Sequence, residues 1–229
     1  MVSKSFTQEL RADNGAAWQA LLEHPFICAI GDGTLSEERY RFYLQQDYGY
    51  LLDLSRVLAL SAAKQPDLSG MRRFAGLLQD TLSEEIEAIE QSWGALGGRA
   101  ERLASASPGL VTGAYADFLV RTCYEGSLAD IVAALLPCET GYVEIAEDLR
   151  ARGARPASSH CRAWLEAYGS EQMRRLAEQF TAEMDRVAQD ATATDRHRWQ
   201  RLYRKSLQLE RLFFQAAWDR DSWPRSVPR

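Results

Sequence analysis

The chain has 229 residues, 46% of them hydrophobic and 26% charged, with 15 Gly and only 7 Pro. A chain of that size and composition buries about 70–75% of the surface its unfolded form exposes, which excludes collagen-like, low-complexity and intrinsically disordered classes. With 32 acidic against 27 basic side chains the formal charge is −5, and no Lys/Arg block exists to hold nucleic acid or an anionic membrane.

Turn residues cluster at Ile30 to Thr34, Gly94 to Gly98, Ser105 to Gly109, Arg152 to Ser159 and Ala191 to Thr194, leaving stretches whose apolar residues recur every three to four positions. In chain order they predict helices over about Phe6 to Leu22, Glu37 to Leu60, Leu68 to Leu96, Leu110 to Tyr124, Ser127 to Arg150, Ser158 to Gln189 and Asp195 to Trp218. Gly31-Asp32-Gly33 reads as a turn between helices. Ser36, followed by Glu37 and Glu38, supplies an N-cap and an acidic first turn. The expectation is an all-α bundle forming a single domain over residues 1–221, with Ser222 to Arg229 a frayed tail carrying two prolines. No uncharged run reaches the roughly 18 residues of a membrane span, and Met1 to Arg11 hold no apolar signal core. The expected protein is therefore soluble and cytoplasmic. Its four cysteines, Cys28, Cys123, Cys138 and Cys161, lack CxxC spacing and read as free thiols.

Three helices carry a polar residue inside the stripe that should face a core. Asp47 follows Tyr43 and precedes Tyr50, Leu54 and Val57 on one face, and Glu210 lies between Ser206/Leu207 and Phe213/Phe214 in the same way. Burying a lone carboxylate costs several kcal/mol unless something pairs with it, so each is either half of a structural ion pair with an arginine or part of a site. Cys138 shares its face with Ile131, Leu135, Tyr142, Ile145 and Leu149. Most cysteines in such a stripe are small inert hydrophobes. Here Pro137 precedes it inside the helix, removing a backbone hydrogen bond and predicting a kink beside the thiol. An unperturbed thiol, with a pKa of about 8.5, is only a few per cent thiolate at neutral pH, so a nucleophilic Cys138 needs a base such as Asp47 or Glu210. Tyr50, Tyr115, Tyr142 and Tyr168 lie on four different predicted helices. Their rings suit either core filling or stacking on a flat heteroaromatic.

Metal chemistry fits poorly. A di-iron site draws on Glu-x-x-His pairs, and the residues three before His24, His160 and His197 are Leu21, Ala157 and Thr194. The acidic run Glu84, Glu85, Glu87, Glu90 reads mostly as a solvated face. No GxSxG elbow and no phosphate-binding glycine loop is present. No metal or cofactor is expected.

Several strings taken together resemble the TenA family, also called thiaminase II, of haem-oxygenase-like helical fold. They are His24-Pro25-Phe26 followed by Ile30-Gly31-Asp32-Gly33-Thr34-Leu35; Tyr43-Leu44-Gln45-Gln46-Asp47 with Tyr50; and Ala133-Ala134-Leu135-Leu136-Pro137-Cys138 with Tyr142. The likeness runs from about Trp18 to Trp218. It implies an aminopyrimidine aminohydrolase that salvages degraded thiamin, converting 4-amino-5-aminomethyl-2-methylpyrimidine to its hydroxymethyl counterpart with loss of ammonia, in many members also cleaving thiamin. By the same resemblance Cys138 is the nucleophile of the cysteine-bearing branch and Glu210 the acid/base. Asp47 accepts from the pyrimidine's amino group, and Tyr50, Tyr115, Tyr142 and Tyr168 line its pocket. Assembly as a homotetramer is implied too. The chain departs from the family at Glu87 to Gln91, where members often carry a histidine, and at Gly49 in mid-helix. Two other classes remain open at this level: a non-catalytic pyrimidine-binding or regulatory protein, and a hydrolase of a related heteroaromatic.

Overall fold

A helix begins where a side chain captures its first free N–H groups, and serine and aspartate do this repeatedly here. Ser5, Ser36, Asp67, Ser127 and Ser170 each accept the backbone N–H three residues on. The structure, a computed structural model, describes residues 4–221, so the expected tail lies outside the described residues. The helices run in chain order as α1 (Phe6–Asp13), α2 (Gly15–Leu22), α3 (Pro25–Asp32), α4 (Glu37–Ala63) and α5 (Leu68–Asp80). A π-helical turn (Thr81–Glu85) leads into α6 (Ile86–Ala95), α7 (Ala100–Ala104) and α8 (Leu110–Glu125). There follow α9 (Leu128–Ala151), α10 (Ser159–Tyr168), α11 (Glu171–Val187) and α12 (Ala193–Asp219). No strand occurs among the described residues, as an all-α reading requires.

Four departures from the expected helices have identifiable causes. The first stretch divides at Asn14, whose side-chain amide turns back to donate to the Leu10 carbonyl at 2.8 Å. Gly31 and Asp32 belong to α3, not to a turn. That helix opens on the His24 Nδ1, which accepts the Phe26 N–H at 3.2 Å, and closes at Gly33, held at φ 76°. In the stretch from Leu68, five residues adopt the wider π geometry, with the Thr81 hydroxyl donating to Glu85 at 2.7 Å. The stretch from Ser158 breaks after Tyr168, where the Arg150 guanidinium donates to the Leu165 and Gly169 carbonyls and Ser170 starts α11 afresh.

The chain resolves into two compact units. One comprises the described residues up to Leu35 together with Arg121–Arg211; the other comprises Ser36–Val120 and the described residues from Leu212. Both α8 and α12 contribute residues to each unit. In the first unit α9 packs against α3, α10 and α11, and α1 packs against α11. Every residue of α9 from Asp130 to Glu139 is buried, with Pro137 inside the uninterrupted helix. In the second unit α4 packs against α5, the π-helical turn, α6 and α7.

The first unit is tied together by polar groups that reach across long stretches of sequence. Trp18 Nε1 donates to the Tyr203 hydroxyl at 2.8 Å, and Thr7 donates twice to Asp185. Asp130 spends both carboxylate oxygens: one accepts the Ser127 N–H and hydroxyl at 2.7 and 2.9 Å, the other Arg198 Nε at 2.6 Å and Trp199 Nε1 at 3.0 Å. Burial alone would push this carboxyl up, but Arg198 and the Ser127 donors outweigh it and hold it below its usual range. Asp130→Asn should therefore lower stability by about 2–3 kcal/mol in urea denaturation at pH 7. Because the folded pKa is depressed, the aspartate's contribution is complete above the unfolded value of about 4 and is lost as pH falls through the folded value. The gap between wild type and variant should narrow accordingly in acid.

Candidate active site

Six of the seven candidate side chains are buried and Tyr168 is half-buried; they fall into two groups, one in each unit. In the second unit the α4 stripe is realised as expected: Tyr43, Asp47, Tyr50, Leu54 and Val57 are each at most 5% exposed. Asp47 and Tyr50 lie one turn apart, and the Tyr50 ring packs against Tyr115 of α8 at 5.1 Å between centroids, tilted 37°. The cluster extends to a residue that sequence analysis had treated only as a flank: Phe213 lies 6.1 Å from Tyr50 and 6.0 Å from Tyr43. A signal for it was present, since Phe213 continues the Glu210 stripe three residues on.

Gly49 now has a reason. A Cβ on it would stand 3.3 Å from Cγ of Pro108, the residue that leads the chain into α8. The mid-helix glycine, at a cost of up to about 1 kcal/mol in helix propensity, lets this loop lie close against α4.

In the first unit Cys138 and Tyr142 occupy successive turns of α9. Tyr142 packs on Tyr168 of α10 at 4.5 Å and 40°, and Trp164 completes the trio at 4.7 Å from Tyr168 and 5.9 Å from Tyr142. Trp164 was not singled out from the sequence, although it precedes Tyr168 by one turn. Glu210, on α12, belongs to this unit and is 3% exposed. Among the other thiols Cys28 is exposed, while Cys123 and Cys161 are buried, and none of the four cysteines is in a disulfide. Burial pushes the Cys161 thiol up despite opposing hydrogen bonds from Ser158 and Leu35, which makes it a poorer nucleophile than an ordinary cysteine.

A cleft of about 390 Å³ in the same unit lies along Leu136, Thr140 and Glu144 of α9, the flank opposite Cys138 and Tyr142. Arg11 bridges to Glu144 there at 3.0 Å, and burial raises the Glu144 carboxyl in spite of that partner. Of the acidic run, Glu84, Glu87 and Glu90 are exposed, whereas Glu85 turns inward to Thr81 and is pushed up by burial. Among the described residues no group of three His, Cys, Asp or Glu is placed to hold a metal ion, and no helix is long and apolar enough to cross a membrane.

The helices define an all-α protein of the haem-oxygenase-like class. A solved domain of unknown function with that fold from Shewanella denitrificans matches with a TM-score of 0.73 at 16% identity, covering 96% of this chain and 94% of that chain. A model of the TENA/THI-4/PQQC family matches residues 12–220, and the chain belongs to that family. It is 32% identical over 221 residues to the aminopyrimidine aminohydrolase of Halalkalibacterium halodurans, covering 96% of this chain and 98% of the relative. The solved TenA homologue of P. horikoshii OT3 matches with a TM-score of 0.87 at 29% identity, covering 94% of this chain and 99% of that chain.

The contact at Gly49 is open to a direct test. Gly49→Val forces a branched side chain against Pro108 and should lower stability by about 1–3 kcal/mol in thermal or urea unfolding, despite the better helix propensity of any residue over glycine.

Proposed function

We propose that the chain is an aminopyrimidine aminohydrolase of thiamin salvage, acting on 4-amino-5-aminomethyl-2-methylpyrimidine and also, at the same carbon, on thiamin. The observation that carries this reading is the near full-length likeness to a relative of that name, which holds over the segments containing every candidate residue. The burial of Asp47, Cys138 and Glu210 supports it, because a carboxylate or thiol taken out of water is either matched by protein or kept for a ligand.

In the proposed reaction the Cys138 sulfur adds to the pyrimidine ring while Glu210 delivers a proton to the ring or to the leaving amine. The electron pair released into the ring expels ammonia from the exocyclic methylene. Water then adds at that carbon, the proton returns to Glu210, and the ring re-aromatises as the thiolate departs. One hard displacement thus becomes two easier steps. Asp47 accepts from the 4-amino group. Tyr50 and Tyr115 supply one aromatic surface for the ring, and Tyr142 and Tyr168 order the thiol and the far edge. The residues require no cofactor for this chemistry.

We further propose that the protein works in the cytoplasm, where its four thiols remain reduced, and as a homotetramer. Exposed apolar side chains such as Leu68 and Met71 on α5, Leu82 on the π-helical turn and Tyr124 on α8 provide surface for assembly. Light scattering after size exclusion should return four times the chain mass.

The defining experiment is steady-state release of the hydroxymethylpyrimidine from the aminomethyl compound, with thiamin in parallel. Cys138→Ser should reduce turnover by at least about a thousandfold while leaving the far-UV spectrum unchanged. Retained activity in that variant rules out the covalent route. Glu210→Gln should lower kcat by about 10²–10⁴-fold with KM little changed. A variant that instead fails to fold would make Glu210 a structural partner.

A further inference from the structure

Asp47 and Tyr50 are on α4 and Tyr115 is on α8, two helices far apart in sequence whose separation and register must be fixed for the three side chains to act on one ring. The element that fixes them is the residue beside Asp47. Gln46 is 5% exposed, and its Oε1 accepts two hydrogen bonds of 2.7 Å, one from the Gly109 N–H and one from the Thr112 hydroxyl. A backbone N–H can only donate, so the atom facing it is the amide oxygen, and the Thr112 hydroxyl must donate to the same atom.

The Gly109 carbonyl accepts the Gly113 N–H at 2.9 Å, so Gly109 is the N-cap residue of α8. Glycine brings no side chain to cap that start. The acceptor for the cap residue's own N–H comes in trans, from α4, and Gln46 does for Gly109 what Gln8 does within α1, where it accepts the Ser5 N–H at 3.1 Å. The fit is close: a Cβ at Gly109 would stand 3.1 Å from Gln46 Oε1, just as one at Gly49 would stand 3.3 Å from Pro108. Gln46, Gly49, Pro108, Gly109 and Thr112 thus form one seam between the two helices. Tyr115 sits one turn beyond Thr112, its ring 5.1 Å from Tyr50.

We infer that Gln46 is a positioning residue for the reaction: by capping α8 from α4 it sets the distance and register between Asp47/Tyr50 and Tyr115. It touches no reacting atom and acts through Tyr115. The inference rests on the aminohydrolase reading for the identity of the ligand, though the seam itself does not.

The test is a double-mutant cycle read in KM, kcat and binding of the hydroxymethylpyrimidine product by calorimetry. Gln46→Leu, which keeps the bulk and removes the acceptor, should raise KM and the product Kd about tenfold with kcat within about threefold of wild type. Gln46→Glu, which keeps an acceptor oxygen facing both donors, should restore KM to within about twofold at pH 8. Combined with Tyr115→Ala, Gln46→Leu should add nothing to the loss from Tyr115→Ala alone. Unchanged KM and Kd in folded Gln46→Leu, or effects that multiply with Tyr115→Ala, overturn the inference. If Gln46→Leu does not fold, Thr112→Val removes one of the two donors and should raise KM about threefold; no rise in that variant overturns it equally. A wild-type protein that neither binds the product nor turns over substrate defeats the aminohydrolase reading, and this role falls with it. Wild-type binding with equal binding by the variants defeats the role alone.

Discussion

A helix enclosed by protein on every side has no face on which to leave a polar residue unmatched, and α9 is such a helix from Asp130 to Glu139. Its carboxylates at Asp130 and Glu139 are buried with the apolar residues. Asp130 is saturated by Ser127, Arg198 and Trp199 at the helix start, and the Thr140 hydroxyl donates to the Leu136 carbonyl one turn back at 2.8 Å. Glu144 emerges half-exposed and meets Arg11. A thiol is a reactive group that such a helix carries in its interior at low cost, because a neutral cysteine packs like a small hydrophobe until something ionises it, whereas a buried carboxylate such as Asp130 needs several donors. The burial that makes α9 a structural post is thus compatible with a nucleophile at Cys138 that needs no counter-charge until it ionises.

The other unit handles polarity differently. On α4 the consecutive residues Gln46 and Asp47 are both buried, although neighbours in a helix point about 100° apart. The buried arc of α4 is therefore broad, and its two polar residues point in different directions. Gln46 is spent on the backbone and a hydroxyl of α8, a neutral cap that needs no counter-charge. Arg39 does a related task at the far end of α12, stacking over the Trp218 ring at 3.7 Å while donating to its carbonyl at 2.7 Å.

How much of this was legible in the sequence depends on where the cause of each feature lies. The helical class and the stripes were legible because three-to-four periodicity is local: Tyr43 to Val57, Ile131 to Leu149 and Leu207 to Phe214 are buried where the spacing puts them. The break at Gly169 was not, since Arg150, 19 residues earlier, is what captures the carbonyls there. Nor was α3, whose Gly31 reads as a turn residue until Leu149 is seen filling the space a side chain would need. The same distinction applies to the candidate residues. Cys138 and Glu210 stood out as polar groups in apolar stripes, and the strings around them carried the family. Gln46 looked like any glutamine beside a more interesting aspartate, because its partner is 63 residues away.

Neither unit is a continuous piece of chain, and this governs the order in which the protein can be made. The residues up to Leu35 leave the ribosome with Trp18, Phe26 and Ile30 already present, but Asp185 and Tyr203, which bind Thr7 and Trp18, follow 178 and 185 positions later. Ser36–Val120 in turn waits for the described residues from Leu212. Both hydrophobic cores therefore stay open through most of synthesis, exposed to chaperones and to neighbouring nascent chains. Completion of both falls to a single segment, α12, which contributes residues to each unit.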